Sequence, residues 1–448
     1  MRAVKVIVIG SGDVGQHIAR TLSAERHDVT VVDLDPARVE SLQADLDALV
    51  VAGNGASPKV LRRLGVDETD LVCAVTDSDE ANVIAAMAAH QLGAGTTVAR
   101  VRDDDYFEGD DSSGRDVLGI DFVIHPERAT AADLAESILL PGSVHVEYFA
   151  NGRLAITESV VDTRSTLLGR PLGERRIMRP NFIFGIIRDG RAIAAEPYHK
   201  VQAGDHVLAA AAREDIREVA AQIAGRTVRV REVMIFGAGR VGLPLARRLE
   251  KTDLRVSLME RDADRARYVA EHLHRATVLH EEGVSKEALL AHGVDKVGAF
   301  VACAGDDRAN LLAALHAKQL GAGLNLAVVS REEFTPLVDA LGVDAAFSPR
   351  LVTAEAILRT VRGANVAAIH LMLGGGEILE VEAEPDCSAD GRTLEAAAAM
   401  VKARIVAIVR GDRVIMPLPD ARVRAGDHVI VFNPRAGVAD VKRGFHAA

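Results

Sequence analysis

The chain has 448 residues, 48% hydrophobic and 26% charged, with a formal net charge of −11. That length suits roughly two to four domains, and the acidic balance argues against a general nucleic-acid binder, which needs a basic face. Aromatic residues make up only 3% and tryptophan is absent, so the core must be built from Val, Ile, Leu and Ala, as in tightly packed α/β layers.

The first residues carry a charge and then the apolar run Val6–Ile9, which stops at a glycine loop. This reads as a buried strand, not a signal peptide. No segment approaches the ~20 apolar residues that span a bilayer. Strands are predicted over Val4–Ile9, Val29–Val32, Ala48–Val51, Leu71–Val75, Val98–Val101 and Phe122–Ile124, with helices between them such as Asp13–Glu25 and Glu80–Leu92. Alternation of this kind predicts an α/β, Rossmann-like doubly wound parallel sheet over residues 1–140. The apolar helical stretch Ala129–Leu140 allows two readings: a terminal helix on its own sheet, or one exchanged between lobes. After Pro141-Gly142 the pattern changes. Val144–Tyr148, Phe182–Ile187 and His206–Ala209 read as strands, with turn signals at Asn151-Gly152 and Asp189-Gly190. Residues 141–226 therefore form a small β-rich lobe.

The remainder repeats this plan, with a second Rossmann-like lobe over 227–362 and a second β-rich lobe over 363–448, Gly363 lying near their boundary. Val6-Ile7-Val8-Ile9-Gly10-Ser11-Gly12-Asp13-Val14-Gly15 recurs as Val233-Met234-Ile235-Phe236-Gly237-Ala238-Gly239-Arg240-Val241-Gly242. Gln91–Gly95 recurs as Gln319–Gly323, and Val201–Val207 as Val423–Val429. The repeat spacing shortens after Gly95, so the first copy carries an insertion. The acidic stretch Asp103–Asp116 is the candidate, read as a solvated loop.

Each Rossmann-like lobe opens on a phosphate cradle. Gly10-x-Gly12-x-x-Gly15 follows a strand and begins a helix. The first glycine permits a tight turn, the second lets backbone approach a pyrophosphate, and the third lets helix and sheet pack closely. The helix N-terminus then offers free N–H groups to the phosphate. Asp33 ends the second strand, where a carboxylate accepts ribose hydroxyls and repels a 2′-phosphate. NAD(H), ATP or ADP is preferred over NADP(H). The second cradle keeps Gly237, Gly239 and Gly242, but Glu260 replaces the aspartate and Arg261 follows it. It can bind nucleotide in altered geometry or be a degenerate, structural copy. Thr76 and Asp77 end the fourth strand, with Asn82 beyond them. They line the crevice, or Asp77, Ser78 and Asp79 cap the next helix. Arg100, on the fifth strand, faces phosphate or is one exposed arginine among many.

Cys73, Cys303 and Cys387 are far apart, with no CxxC pair. Cys73 and Cys303, inside apolar runs, read as buried, reduced thiols, and no metal centre is expected. His145, His199, His206, His370 and His428 are scattered through the small lobes. His206 and His428 occupy matching positions beside Gly-Asp, which points to a repeated structural role. A dehydrogenase would need a substrate lobe with a general acid or base, and none stands out.

Gly53-Asn54-Gly55-Ala56, Ala74–Asn82 (AVTDSDEAN), Ala99-Arg100-Val101-Arg102 and Ala203-Gly204-Asp205-His206 together resemble the RCK family, regulators of potassium conductance, also called KTN domains. The resemblance covers nearly the whole chain, twice, like the tandem regulatory subunits of bacterial potassium uptake systems. It implies that the chain is not an enzyme, and that the Rossmann-like lobes bind NAD(H), ATP or ADP and the small lobes are RCK-C domains. Such subunits form homo-oligomeric rings, here a tetramer of two-RCK chains, under a membrane potassium-translocating subunit at the cytoplasmic face of the inner membrane. Nucleotide changes ring shape and gates the pore. Motif matching assigns Gly10, Ser11, Gly12, Asp13, Val14, Gly15, Asp33, Thr76, Asp77 and Arg100 to the first nucleotide site, and Gly237, Ala238, Gly239, Arg240, Val241, Gly242 and Glu260 to the second. An NAD-dependent dehydrogenase, or a nucleotide sensor for another channel or transporter, is the alternative. Gly53-Asn54-Gly55-Ala56 stands where Gly-Asp-Gly-Thr/Ser is usual, His280-Glu281-Glu282-Gly283 occupies that place in the second copy, and Val328 stands where the first copy has Arg100. These departures weaken the second site, not the fold.

Overall fold

The computed structural model describes every residue except 1–2, 104–105, 107–117, 141, 175–181, 190, 226–229, 282–284, 332–333, 342, 363–365, 372–375, 419, 435–438 and 447–448. Most of the insertion expected at Asp103–Asp116, together with Pro141, Gly190 and Gly363, thus lies outside the described residues. Two compact units form: residues 1–129 with 349–364, and residues 130–348 with 365–448.

The first unit is built on β1 (Lys5–Ile9), β2 (Asp28–Asp33), β3 (Leu49–Ala52), β4 (Leu71–Ala74), β5 (Thr97–Arg100) and β6 (Phe122–Ile124). They pair in parallel in the order β3-β2-β1-β4-β5-β6. Helices cover both faces, which is why the strands read as unbroken apolar runs. Ile7, Val72, Ala74 and Leu61 are fully or nearly fully buried in one core. Strand order reverses between β1 and β4, and the crevice at the carboxyl ends of those strands is where doubly wound sheets bind ligands.

The second unit holds β7 (His145–Phe149), β8 (Leu154–Val160), β9 (Phe182–Arg188), β10 (Arg191–Ala194) and β11 (His206–Ala212), an antiparallel sheet ordered β10-β9-β11-β8-β7. Next come β12 (Glu232–Phe236), β13 (Arg255–Glu260), β14 (Thr277–His280), β15 (Ala299–Ala302), β16 (Leu324–Val328) and β17 (Ala345–Phe347), parallel and ordered like the first sheet. Last are β18 (Val366–Leu371), β19 (Glu377–Glu382), β20 (Arg404–Arg410), β21 (Arg413–Ile415) and β22 (His428–Asn433), ordered β18-β19-β22-β20-β21. The duplication read from sequence is thus repeated strand by strand. The turn signal Asn151-Gly152 joins β7 to β8 with Ala150, Asn151 and Gly152 all at positive φ.

The histidines at matching positions make matching contacts. His206 meets Glu158 at 2.5 Å and His428 meets Glu380 at 2.7 Å. Arg188–Asp205 and Arg410–Asp427 repeat in the same way, each arginine gripping both carboxylate oxygens. The two small sheets share one core, in which Phe184 meets Phe432 edge-on with ring centroids 5.2 Å apart.

The helices after β6 and β17 exchange partners. Pro126–Leu139 is one continuous helix. Its Ala131, Leu134, Ala135 and Ile138 are at most 1% exposed and share a core with Val233, Ile235, Leu245 and Leu258 of the second parallel sheet. The helix Pro349–Arg362 belongs to the first unit, packed on the helix Asp13–Ala24. The exchanged reading of Ala129–Leu140 therefore holds, and the reading as a helix on its own sheet does not.

Candidate functional site

The first cradle is built from the ends of β1, β2, β4 and β5. Gly10 leaves β1 with φ of +103° and donates its N–H to the Val32 carbonyl at 2.8 Å. A Cβ at Gly15 would lie 1.8 Å from the Gly10 oxygen, and one at Gly10 would press on Thr76 at 3.0 Å. These two glycines are demanded by the protein itself. Gly12 is different: its φ is −68°, and a Cβ there would meet nothing within 4 Å. Neither backbone strain nor packing explains a glycine at that place, whereas close approach by a ligand does. The helix Asp13–Ala24 has no side-chain cap at Gly12, although Asp35 and Ser78 cap later helices in the same unit. Its first N–H groups stay available to an anion. Val14 is buried in the core below, and the Ser11 carbonyl accepts from Gln16 at 2.9 Å.

Asp33 faces this loop. One carboxylate oxygen accepts from the Ser11 N–H at 2.6 Å and the Ser11 hydroxyl at 2.7 Å, and the other from the Asp35 N–H at 2.9 Å. Burial alone would raise its pKa, but the hydrogen bonds from Asp35 and Ser11, with Arg38 nearby, hold it below the ordinary carboxylate value. A carboxylate with about four acceptor sites keeps one for a ribose hydroxyl, and rotation of Ser11 frees a second.

Asn82 fixes the far wall. Its oxygen accepts from the Thr76 N–H at 2.8 Å and hydroxyl at 2.7 Å, and its amide donates to the Thr76 and Arg100 carbonyls at 3.0 and 2.9 Å. The capping reading of Asp77–Asp79 holds at Ser78 alone. Ser78 caps the helix through the Ala81 N–H, and Asp79 binds Arg102. Asp77 is left 83% exposed at the rim, 4.0 Å from Arg100. Arg100 itself is only 13% exposed and also reaches Glu127 at 3.5 Å. Its Nε is buried without a hydrogen-bond partner. Glu127 went unforeseen, since a glutamate in a first helical turn is commonplace.

The second cradle copies the backbone and loses much of the chemistry. Gly237 has φ of +100°, a Cβ on Gly242 would sit 1.9 Å from the Gly237 oxygen, and one on Gly239 meets nothing within 4 Å. Glu260 accepts from the Ala238 N–H at 3.0 Å, then from Arg261 and Asp262 at 2.8 and 3.0 Å. Asn310 repeats Asn82, bonding Ala304 and the Val328 carbonyl. Yet Ala304, Gly305 and Val328 stand where Thr76, Asp77 and Arg100 do. Arg265 donates to the Ala238 carbonyl at 3.0 Å, a contact its repeat partner Arg38 does not duplicate among the described bonds. The helix also starts late, at Gly242, leaving Arg240 and Val241 outside it. Pro244 is the cause: it has no N–H for the Arg240 carbonyl, whereas Leu243 and Leu245 bond Gly239 and Val241.

One further cluster was not foreseen. His145, Glu147 and His370, from different copies, come together in the second unit.

Residues 6–126 and 233–349 match the TrkA-N domain, and residues 378–446 match the TrkA-C domain. The Trk system potassium uptake protein TrkA of Azorhizobium caulinodans is 33% identical, covering 98% of this chain and 97% of that protein. The chain belongs to the TrkA family. The TrkA of Haemophilus influenzae is 31% identical, over 99% of this chain and 98% of its own length. In fold, the GsuK RCK domain superposes with a TM-score of 0.62 at 19% identity, over 98% of this chain and 94% of that one. The GsuK channel bound to NAD gives 0.62 at 19%, over 99% and 78%. Membership in the TrkA family answers the dehydrogenase alternative: this is a potassium-system protein and not an enzyme.

Proposed function

We propose that this chain is the nucleotide-binding regulatory subunit of a Trk potassium uptake system, and that NAD(H), or ATP or ADP, binds the first cradle. The observation that carries the reading is the contrast between Gly15 and Gly12. The protein's own packing requires the first; nothing in the fold requires the second, and an approaching ligand accounts for it. Asp33 then takes ribose and disfavours a 2′-phosphate, the uncapped helix takes pyrophosphate, and the exposed Leu34 offers an apolar face to the base. Full-length likeness to TrkA proteins supports the potassium assignment, and the NAD and ADP complexes of the similarly folded GsuK support the ligand class.

Arg100 supplies the coupling. It sits between the cradle residue Asp77 and Glu127, and Glu127 lies in the first turn of the helix Pro126–Leu139. A phosphate that draws Arg100 away releases Glu127 and loosens that turn. The other end of the helix is anchored in the second core, so a nucleotide that binds one arrangement better shifts the pair of units between shapes. Differential binding is the requirement; a ligand with equal affinity for both shapes does nothing.

In this reading the partner is a TrkH/TrkG-like membrane subunit. The chains assemble as a ring, a tetramer of two-RCK chains, peripheral at the cytoplasmic face of the inner membrane. Among the described residues no helix is long and apolar enough to cross a membrane, in keeping with a peripheral role. The test is calorimetric titration with NADH, NAD, ADP, ATP and NADPH. Binding of the first four but not NADPH, without turnover, fits the reading. Absence of any binding overturns it.

A further inference from the structure

Where the small sheets of the two copies meet, β7 and β18 bring three metal-ligand side chains together. His145 and Glu147 alternate along β7 and so share a face, and His370 comes from β18. One oxygen of Glu147 lies 3.7 Å from His145 Nε2 and 3.9 Å from His370 Nδ1. The two imidazoles stack with centroids 4.4 Å apart and planes 18° from parallel. One ligand atom from each residue can be chosen so that all lie within 4.8 Å of one another. Both histidines are largely buried, 16% and 14% exposed, and His145 Nε2 is buried with no hydrogen-bond partner.

The two repeated Glu–His pairs of this unit close more tightly. In the same unit, Glu158–His206 and Glu380–His428 close to 2.5 and 2.7 Å. The Glu147 separations are too long for hydrogen bonds. They are close to the roughly 3.4 Å between ligand atoms around a tetrahedral ion with bonds near 2.0–2.1 Å, and a swing of one imidazole out of the stack would bring both ring planes onto such an ion. The repeat adds a second argument. Glu147 pairs with Ile156 and His370 with Ile378, and those isoleucines precede the equivalent carboxylates Glu158 and Glu380 by two residues. Glu147 and His370 thus hold the same place in the two copies. A strict repeat would set like against like there; this chain sets a carboxylate against an imidazole. Glu158, opposite His145 on β8, adds negative charge behind the group.

We propose that His145, Glu147 and His370 form a three-ligand site for a divalent cation of the zinc class, joining the edge strands of the two small sheets, with water or an external ligand in the fourth position. Two imidazoles and one carboxylate suit zinc and its neighbours better than magnesium or calcium, which favour all-oxygen shells. The site departs from the expectation of no metal and stands independently of the nucleotide reading, since no residue is shared. Bound metal would fasten the small lobes together and make the protein responsive to a second signal.

The test uses the full chain without a histidine tag. It is titrated with Co2+ while the visible d–d band of tetrahedral cobalt is followed, then challenged with Zn2+. One tightly bound cobalt per chain, displaced by zinc, is expected. His145→Ala, His370→Ala and Glu147→Gln should each weaken it by at least about tenfold and abolish the rise in melting temperature that zinc gives the unaltered chain. Glu147→Gln is nearly isosteric and carries the test alone if a histidine variant fails to fold. Far-UV circular dichroism and metal-free denaturant melts that match the unaltered chain show that the variants are intact. No binding by the unaltered chain, equal affinity in all three variants, or tighter binding of magnesium or calcium than of zinc would overturn the proposal.

Discussion

Gly12 and Gly15 are three residues apart and make opposite predictions. Gly15→Ala forces a Cβ to 1.8 Å from the Gly10 carbonyl, so the loop must move and stability should fall by about 1–3 kcal/mol, as overpacking does, read by urea melts. Gly12→Ala meets open space. Its melt should match the parent while nucleotide affinity drops. Unchanged affinity in a stable Gly12→Ala protein would remove the main support for a ligand there. Asp33→Ala should weaken binding of NAD or ADP by a charge-assisted hydrogen bond or two, about 1.5–3 kcal/mol each, with the fold kept. The same carboxylate shapes the acid limb of stability. Its folded pKa lies below the ordinary 3.8, so its contribution is complete above that value and is lost as pH falls through the folded one. Asp33→Asn should therefore lose stability less steeply on acidification than the parent, in melts taken from about pH 5 down to about pH 2. Asp33 and the glycines were legible because each type has one chemical use at that spacing. Arg100 was legible only in part: a sequence shows the arginine but not that Asp77 and Glu127 flank it.

At the scale of elements, Asn82 and Asn310 do the same work in both copies, tying the loop after one strand to the end of the next. Asn82→Ala would leave the Thr76 N–H and the Arg100 carbonyl without those bonds. The cost expected for buried groups so orphaned is about 1–3 kcal/mol, and Asn310→Ala should behave alike in denaturant melts. The strands of the first lobe could be read within a residue or two, because short unbroken Val, Ile, Leu and Ala runs have few other uses. The helix Pro126–Leu139 could not be assigned a sheet. Its apolar stripe of Ala131, Leu134, Ala135 and Ile138 fits either one, and only tertiary packing decides. Pro244 was visible in the sequence, yet three intact glycines hid its effect. It removes one N–H and delays the helix, so the second cradle presents a different end to a phosphate. Pro244→Ala should lengthen that helix toward Arg240 and, by restoring one N–H donor, raise stability by about 0.5–1.5 kcal/mol, measured by thermal melting. No change would mean that Arg265 or Glu260 sets the loop instead.

At the scale of the whole chain, the exchange makes the two units mutually dependent. Leu134→Ala lies in a helix that follows the first sheet, but its cavity opens in the second core. A loss of about 2–5 kcal/mol is expected, with hydrogen exchange accelerating in the strands β12 and β15 and not in β1 and β4. The His145–Glu147–His370 group was also beyond the reach of spacing rules, because its members come from different copies and meet only after both small sheets have formed.

The exchanged helices also impose an order on synthesis. A ribosome delivers β1 through β6 early, but the first unit also needs the helix Pro349–Arg362, made when most of the chain has already emerged. The helix Pro126–Leu139 likewise waits, apolar stripe exposed, for β12 and β15. Domains usually fold as they appear, N-terminal first; here neither unit can finish until translation has passed residue 364. The nascent chain is therefore most open to chaperones, and to mispairing with a neighbouring copy's helix, in the interval between the two halves.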